Sequence, residues 1–134
     1  MLQETELINT TVSDDSALAK IIGELLFDHK GADVITLDLR EAGVWTDFFI
    51  IATVSSNAHM DGLDRHIKEF CRDRDIAILR RSRKPENADD EWRIIDLGTI
   101  VIHLMSRQAR SFYDLERLYS IVLADMQPSN VTVN

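Results

Sequence analysis

The chain has 134 residues, with 15 Lys and Arg against 23 Asp and Glu, so its formal net charge is −8. Hydrophobic residues at 45% and charged residues at 28% are globular proportions rather than disordered, fibrous or membrane ones. The acidity argues against a general nucleic-acid binder, which needs a basic face to displace counterions from phosphates, and it suits a partner that is itself basic.

The length is that of one domain, expected over residues 13–124, after a loose N-terminal segment (1–12) and before a polar tail (125–134) that should fray. One cysteine, Cys71, rules out an internal disulfide framework and reads as a small buried hydrophobe. The N-terminus lacks a basic segment followed by an apolar one, and no run approaches the roughly 18 apolar residues of a membrane span. A cytoplasmic protein without membrane contact is the expectation.

The first helix is predicted from Asp15 to about His29, with Leu18, Ile21, Ile22, Leu25 and Leu26 forming one apolar stripe. Ser13, Asp14 and Asp15 supply its N-cap, and Gly31 is expected to end it in the left-handed conformation. Strands follow at Val34–Leu39 and Phe48–Thr53, joined by a turn at Glu41-Ala42-Gly43. The second is apolar on both faces, as in a strand covered on both sides. Ser55-Ser56-Asn57 then caps a helix reaching about Arg72, with Met60, Leu63, Ile67, Phe70 and Cys71 inward. Ile76–Leu79 reads as a short third strand. Trp92–Leu97 and Thr99–Met105 read as the fourth and fifth, joined by a Gly-first turn at Gly98-Thr99. A last helix from about Ser106 carries Ala109, Phe112, Leu115, Leu118 and Val122. The expected architecture is a single α/β domain, a mixed five-stranded sheet with flanking helices.

The Gly98-Thr99 turn fixes a register. It places Ile95 opposite Ile102 and Arg93 opposite Leu104 on one face, and Asp96 opposite Val101, Ile94 opposite His103 and Trp92 opposite Met105 on the other. The first face is mostly aliphatic and belongs under helices. The second mixes Trp, Ile, Val and Met with one His and one Asp. Either it is core with its polar groups hydrogen-bonded at the rim, or it is an open face that docks a protein, since Trp and Met are enriched at interface centres. Full burial of both Trp92 and Met105 would exclude docking.

Catalytic patterns are weak. His59 and His66 share a helix face but stand about 10 Å apart along its axis, too far for one metal, and read as solvated. Asp61 and Asp64 read as a solvated pair beside Arg65. Ser55, Ser56, His103 and Asp96 lack a nucleophile elbow, and the five glycines are too scattered for a phosphate loop. Nucleotidyl transfer would need two carboxylates one residue apart on a strand, whereas Asp89 and Asp90 are adjacent and Asp38 stands alone. No metal or cofactor is expected. Arg80, Arg81, Arg83 and Lys84 form a basic run: either a solvated loop neutralised by nearby acids or a minor contact to RNA phosphate or an acidic patch. Arg110, Tyr113, Asp114, Glu116 and Arg117 are either a solvated helix face or an extension of the docking surface.

Three strings together resemble one family. They are Thr46-Asp47-Phe48-Phe49-Ile50-Ile51-Ala52-Thr53 followed by Ser55, Ser56 and His59; Trp92-Arg93-Ile94-Ile95-Asp96-Leu97-Gly98 followed by Val101-Ile102-His103; and Arg110-x-Phe112-Tyr113-x-Leu115-Glu116-x-Leu118-Tyr119. In this order and spacing, over about residues 16–120, they resemble the Iojap-like ribosomal silencing factors. The resemblance implies a nucleotidyltransferase-like fold without transferase activity. It implies binding to the large ribosomal subunit through the universal protein numbered fourteen, so that the small subunit cannot join when nutrients are short. It assigns the contact to Trp92, Ile94, Asp96, His103, Arg110 and Tyr113, to which the face pattern adds Met105. The chain departs from the family at Val54, where Gly is usual, at Thr99, where an acid is usual, in the link before Trp92, where Glu-Gly is usual, and at Tyr119, where Trp is common. Two other readings stand beside this one: a nucleotide-binding or nucleotidyltransferase-like enzyme on the same fold, and an adaptor that homodimerises through the same face.

Overall fold

The structure, a computed structural model, describes residues 15–81, 91–124 and 131–133. Helix α1 (Asp15–Asp28) leads into β1 (Ala32–Asp38) and β2 (Phe48–Val54); α2 (Asn57–Asp73) precedes β3 (Arg80–Arg81), β4 (Trp92–Asp96) and β5 (Ile100–Ser106). Helices α3 (Arg107–Tyr113) and α4 (Leu115–Ala124) and the short β6 (Val131–Val133) complete the order. One mixed sheet results, ordered β3-β4-β5-β2-β1-β6. Its body is four strands of five to seven residues, β1, β2, β4 and β5. β2 and β5 run parallel, and every other pairing is antiparallel.

Four expectations need correction. The third of five expected strands, Ile76–Leu79, is not a strand; only Arg80–Arg81 pairs there, at the sheet edge. Of the tail expected to fray, Val131–Val133 pairs with β1 at the other edge. The single last helix is two helices, broken at Asp114, which adopts the left-handed conformation (φ 48°, ψ 55°). Gly31 does not end α1 in that conformation; Lys30 does (φ 75°). Its amide donates to Phe27 O at 3.1 Å and that of Gly31 to Leu26 O at 2.7 Å, a Schellman closure. Glycine is required at 31 by space, because a Cβ there would stand 2.7 Å from the Leu26 carbonyl oxygen.

The sheet is covered on both faces. Beneath it, α1 (Ala19, Ile22, Leu26) and α2 (Met60, Leu63, Ile67, Cys71) bury Ile50, Ala52, Ile95, Ile100, Ile102 and Leu104. Above it, Ala109 and Leu115 of α3 and α4 close over Phe49, Ile51, Val101 and Met105. The alternation along β2 sends Ile50 and Ala52 down and Phe49 and Ile51 up, which is why this strand is apolar throughout. Cys71 is buried as expected, and burial raises its thiol pKa. No helix of the described residues is long and apolar enough to cross a membrane.

Candidate protein-docking site

The β4–β5 hairpin has the expected register: Trp92 faces Met105, Ile94 faces His103, and Asp96 faces Val101. The turn closes with Leu97 N donating to Ile100 O at 2.8 Å, and Gly98 takes φ 95°, which an L side chain rarely adopts. Asp96 is used here rather than presented to a partner, since its Oδ1 accepts from Gly98 N at 2.7 Å. Thr46 donates from Oγ1 to Gly98 O at 3.0 Å and ties the turn to the start of β2.

The face bearing Trp92 and Met105 is neither wholly core nor wholly open. Met105 is fully buried, whereas Trp92 and Ile94 are only partly so, packed at the margin of the upper core. The condition that would have excluded docking, burial of both Trp92 and Met105, is therefore not met. His103 is buried between aromatic rings, 4.5 Å from Phe49 and 5.8 Å from Trp92 between centroids. The indole N–H of Trp92 donates to its Nδ1 at 3.1 Å. A donor on Nδ1 requires a neutral ring with its proton on Nε2, and burial lowers the His103 pKa to about 4.

Aromatic contacts continue outward from Trp92. Tyr113 packs on it at 4.6 Å, and Phe112 meets Tyr113 edge-on at 4.9 Å. Phe112 is 79% exposed and Tyr113 50%, so the ridge ends as an apolar surface beside Trp92 and Ile94. Leu118 on α4 and Trp45 are exposed as well, Trp45 lying 6.4 Å from the Phe49 ring. The break at Asp114 explains Phe112 and Leu118. They share the expected apolar stripe with Ala109 and Leu115, but a helix interrupted between 113 and 115 cannot keep all four on one face.

Arg110 is buried and does not reach the surface of this face. Its Nε donates to Glu116 Oε2 at 3.2 Å and its Nη1 to Thr53 Oγ1 at 2.9 Å, so it braces the α3–α4 break against β2. Of the seven residues assigned to docking, Trp92, Ile94 and Tyr113 are the ones that line the open margin. His103, Met105 and Arg110 support it from below, and Asp96 holds the hairpin turn. Phe112 and Leu118 were missed as site residues because helical spacing alone marks them as core.

Other candidate chemistry is dispersed. Ser55 N and Oγ lie 3.0 and 3.2 Å from His59 Nδ1, but His59 Nε2 meets the backbone carbonyl of His29 at 2.9 Å rather than a carboxylate, while His103 is engaged by Trp92 and Asp96 by Gly98, so no triad forms among them. His66 is not simply solvated; its ring stacks on His29 at 3.7 Å. Asp61 and Asp64 both pair with Arg93, at 2.9 and 3.2 Å. Among the described residues no group of three His, Cys, Asp or Glu side chains is placed to hold a metal ion. Arg80 and Arg81 lie on β3, while Arg83 and Lys84 fall outside the described residues.

Comparison with known proteins shows the family and the fold. The profile of a family described as "Ribosomal silencing factor during starvation" matches residues 12–133. The ribosomal silencing factor RsfS of Treponema pallidum is 37% identical over 101 residues, covering 75% of this chain and 88% of that protein. The chloroplastic Iojap protein of Zea mays is 31% identical over 118 residues, or 82% of this chain and 48% of that protein. Among solved structures, a Chromobacterium violaceum protein superposes with a TM-score of 0.64 at 29% identity, covering 78% of this chain and 82% of that one. One from Bacillus halodurans gives 0.65 at 26% identity, covering 77% and 93%. The chain belongs to the ribosomal silencing factor family, whose members are regulatory proteins of the ribosome rather than enzymes.

Proposed function

We propose that this chain silences ribosomes by docking its aromatic margin on the universal large-subunit protein numbered fourteen, leaving no room for the small subunit to join when nutrients are short. The observation that carries this reading is the exposed ridge Phe112–Tyr113–Trp92 on an acidic chain of this family. Steric exclusion needs no chemical step, only an occupied joint. A standard interface buries about 800 Å² on each partner, which a domain of this size can supply. The fold is read as nucleotidyltransferase-like without transferase activity; Asp38 is engaged by Arg40 at 2.6 Å, and among the described residues no group of three His, Cys, Asp or Glu side chains is placed to hold a metal ion. This work belongs to the cytoplasm. Arg80, Arg81, Arg83 and Lys84 are proposed to add a minor rRNA contact, and the same margin offers a surface for a homodimer that would store the protein with its ridge covered.

Sedimentation of purified subunits with added protein tests the reading. The protein should travel with the large subunit only and reduce the pool of joined ribosomes. Tyr113→Ala, at a half-exposed position, should weaken both effects, by about 2 kcal/mol if the ring is an interface anchor. Trp92→Ala should do the same. Joining that proceeds undisturbed, or attachment to the small subunit, overturns the proposal.

A further inference from the structure

The string Ser55-Ser56-x-x-His59 plays no part in the docking margin, yet the fold gives it a defined place. β2 and β5 are the parallel pair, and the helices that follow them leave on opposite faces of the sheet: α2 joins the lower core and α3 the upper one. In open α/β sheets a crevice opens outside the carboxyl ends of two such strands, and ligands bind there. A hollow of about 430 Å³ lies at that point, where Val54 ends β2 and Ser106 ends β5. That volume falls within the range of about 300–1,000 Å³ typical of small-molecule sites.

The lining sets charged and hydroxyl groups among apolar surface that includes Ala32 and Val54. Lys30 and Arg107 supply two positive charges, Ser55 and Ser56 hydroxyls, and Glu91 the one carboxylate, whose Oε2 accepts from Ser106 Oγ at 2.6 Å. Buried Thr53 forms part of the wall, and Arg110, itself paired with Glu116, donates to its Oγ1 from behind the hollow. Lys30 is delivered by the Schellman closure of α1. His59 clamps this rim, with Nδ1 accepting from Ser55 N and lying 3.2 Å from Ser55 Oγ, its amide donating to Ser56 Oγ at 3.0 Å, and Nε2 donating to His29 O, and so joins the start of α2 to the end of α1; the Ser56 hydroxyl keeps its proton for a ligand.

We propose that this hollow binds a small phosphate monoester, its phosphate held by Lys30 and Arg107 against the Ser55 and Ser56 hydroxyls. Lys30 and Arg107 put two cations on the hollow; Glu91 is engaged by Ser106, and Asp33, outside the lining, meets Arg107 only at 3.7 Å on an exposed edge, so an anion in the hollow competes for both cations. The volume exceeds what a bare phosphate fills, which leaves room for the organic part.

Calorimetric titration of the full chain with adenosine monophosphate, inorganic phosphate and adenosine, each alone, tests this. The monophosphate should bind, more tightly than phosphate, and adenosine should give no heat. Lys30→Gln and Arg107→Gln, at exposed positions, should each weaken the monophosphate about tenfold, the loss expected for one charge-assisted hydrogen bond, while thermal melting stays unchanged. His59→Gln, which can keep one of the two clamp hydrogen bonds, should weaken it less than either. Absence of binding by both phosphate probes, adenosine binding as well as its phosphate, or affinity unchanged in both cation variants overturns the proposal.

Discussion

His103 is the buried residue whose charge state the structure fixes most firmly. Its Nδ1 accepts from Trp92, and its buried Nε2 has no hydrogen-bond partner among the described residues. A second proton would break the Trp92 contact and place a charge against Phe49. Its pKa therefore falls from 6.5 to about 4 on folding. The sign follows. In this pH range the unfolded chain binds the proton more readily, so the stabilisation is complete above about pH 6.5 and is lost as pH falls towards 4. Between about pH 7.5 and about pH 5 this residue alone should cost about 2 kcal/mol of stability. Urea denaturation at both values should show that loss in the native chain and a loss smaller by the same amount in His103→Gln. Equal slopes in the two proteins would mean that the ring is accessible to water. Arg93 is the second residue-scale case. It lies on the lower face, with its side chain 11% exposed, between Asp61 and Asp64. Arg93→Met leaves Asp64 buried without that cation and should cost about 2–4 kcal/mol. Adding Asp64→Leu should recover much of the loss, and a double variant no better than the single would show that the pair is not the cause.

At the scale of elements, the α3–α4 junction decides what the proposed docking margin presents. Asp114 caps both helices: its amide donates to Arg110 O at 2.9 Å, and its carbonyl accepts from Leu118 N at 3.2 Å. Its positive φ is one that aspartate tolerates and a β-branched residue does not. Asp114→Val should cost about 1–2 kcal/mol in denaturation and also weaken ribosome binding, because Tyr113 precedes the bend. Asp114→Gly should be neutral in stability. A Val variant as stable as the parent would show that the bend is not set locally. This junction is also where sequence reasoning ran out. Ala109, Phe112, Leu115 and Leu118 have the spacing of one buried stripe, and nothing in that spacing marks Asp114 as a break. The same limit hid the pairing of Arg93 with Asp61 and Asp64 and the stacking of His29 on His66, which depend on how α2 lies against the sheet and α1. By contrast the β4–β5 register was legible, because a Gly-first two-residue turn leaves one pairing that sorts apolar from mixed faces. Trp92 was legible as a surface candidate from the same register, whereas Tyr113 entered through the family resemblance, since helical spacing alone left it open. The brace formed by Arg110 was not, since a buried guanidinium is defined by Thr53 and Glu116, 57 and 6 residues away.

For the whole molecule, the proposed docking assigns the net charge of −8 and the apolar ridge to different stages of association. Charge of one sign over a surface draws a partner of the other sign and raises the encounter rate, whereas desolvated aromatic contacts set how long the complex lasts. The ridge itself carries no formal charge at Phe112, Tyr113 or Trp92, so the two contributions separate experimentally. Against purified ribosomal protein fourteen immobilised on a sensor, raising the salt from about 50 mM to about 300 mM should slow association by roughly tenfold, as screening shortens the range of the field, and leave dissociation nearly unchanged. Tyr113→Ala should do the reverse, accelerating dissociation by about tenfold or more with little change in the association rate. Using the isolated protein removes the ribosomal RNA, whose phosphates would repel this chain and oppose the expected trend. An association rate indifferent to salt would show that the acidity serves solubility alone. A Tyr113→Ala effect confined to association would place the ring outside the final contact.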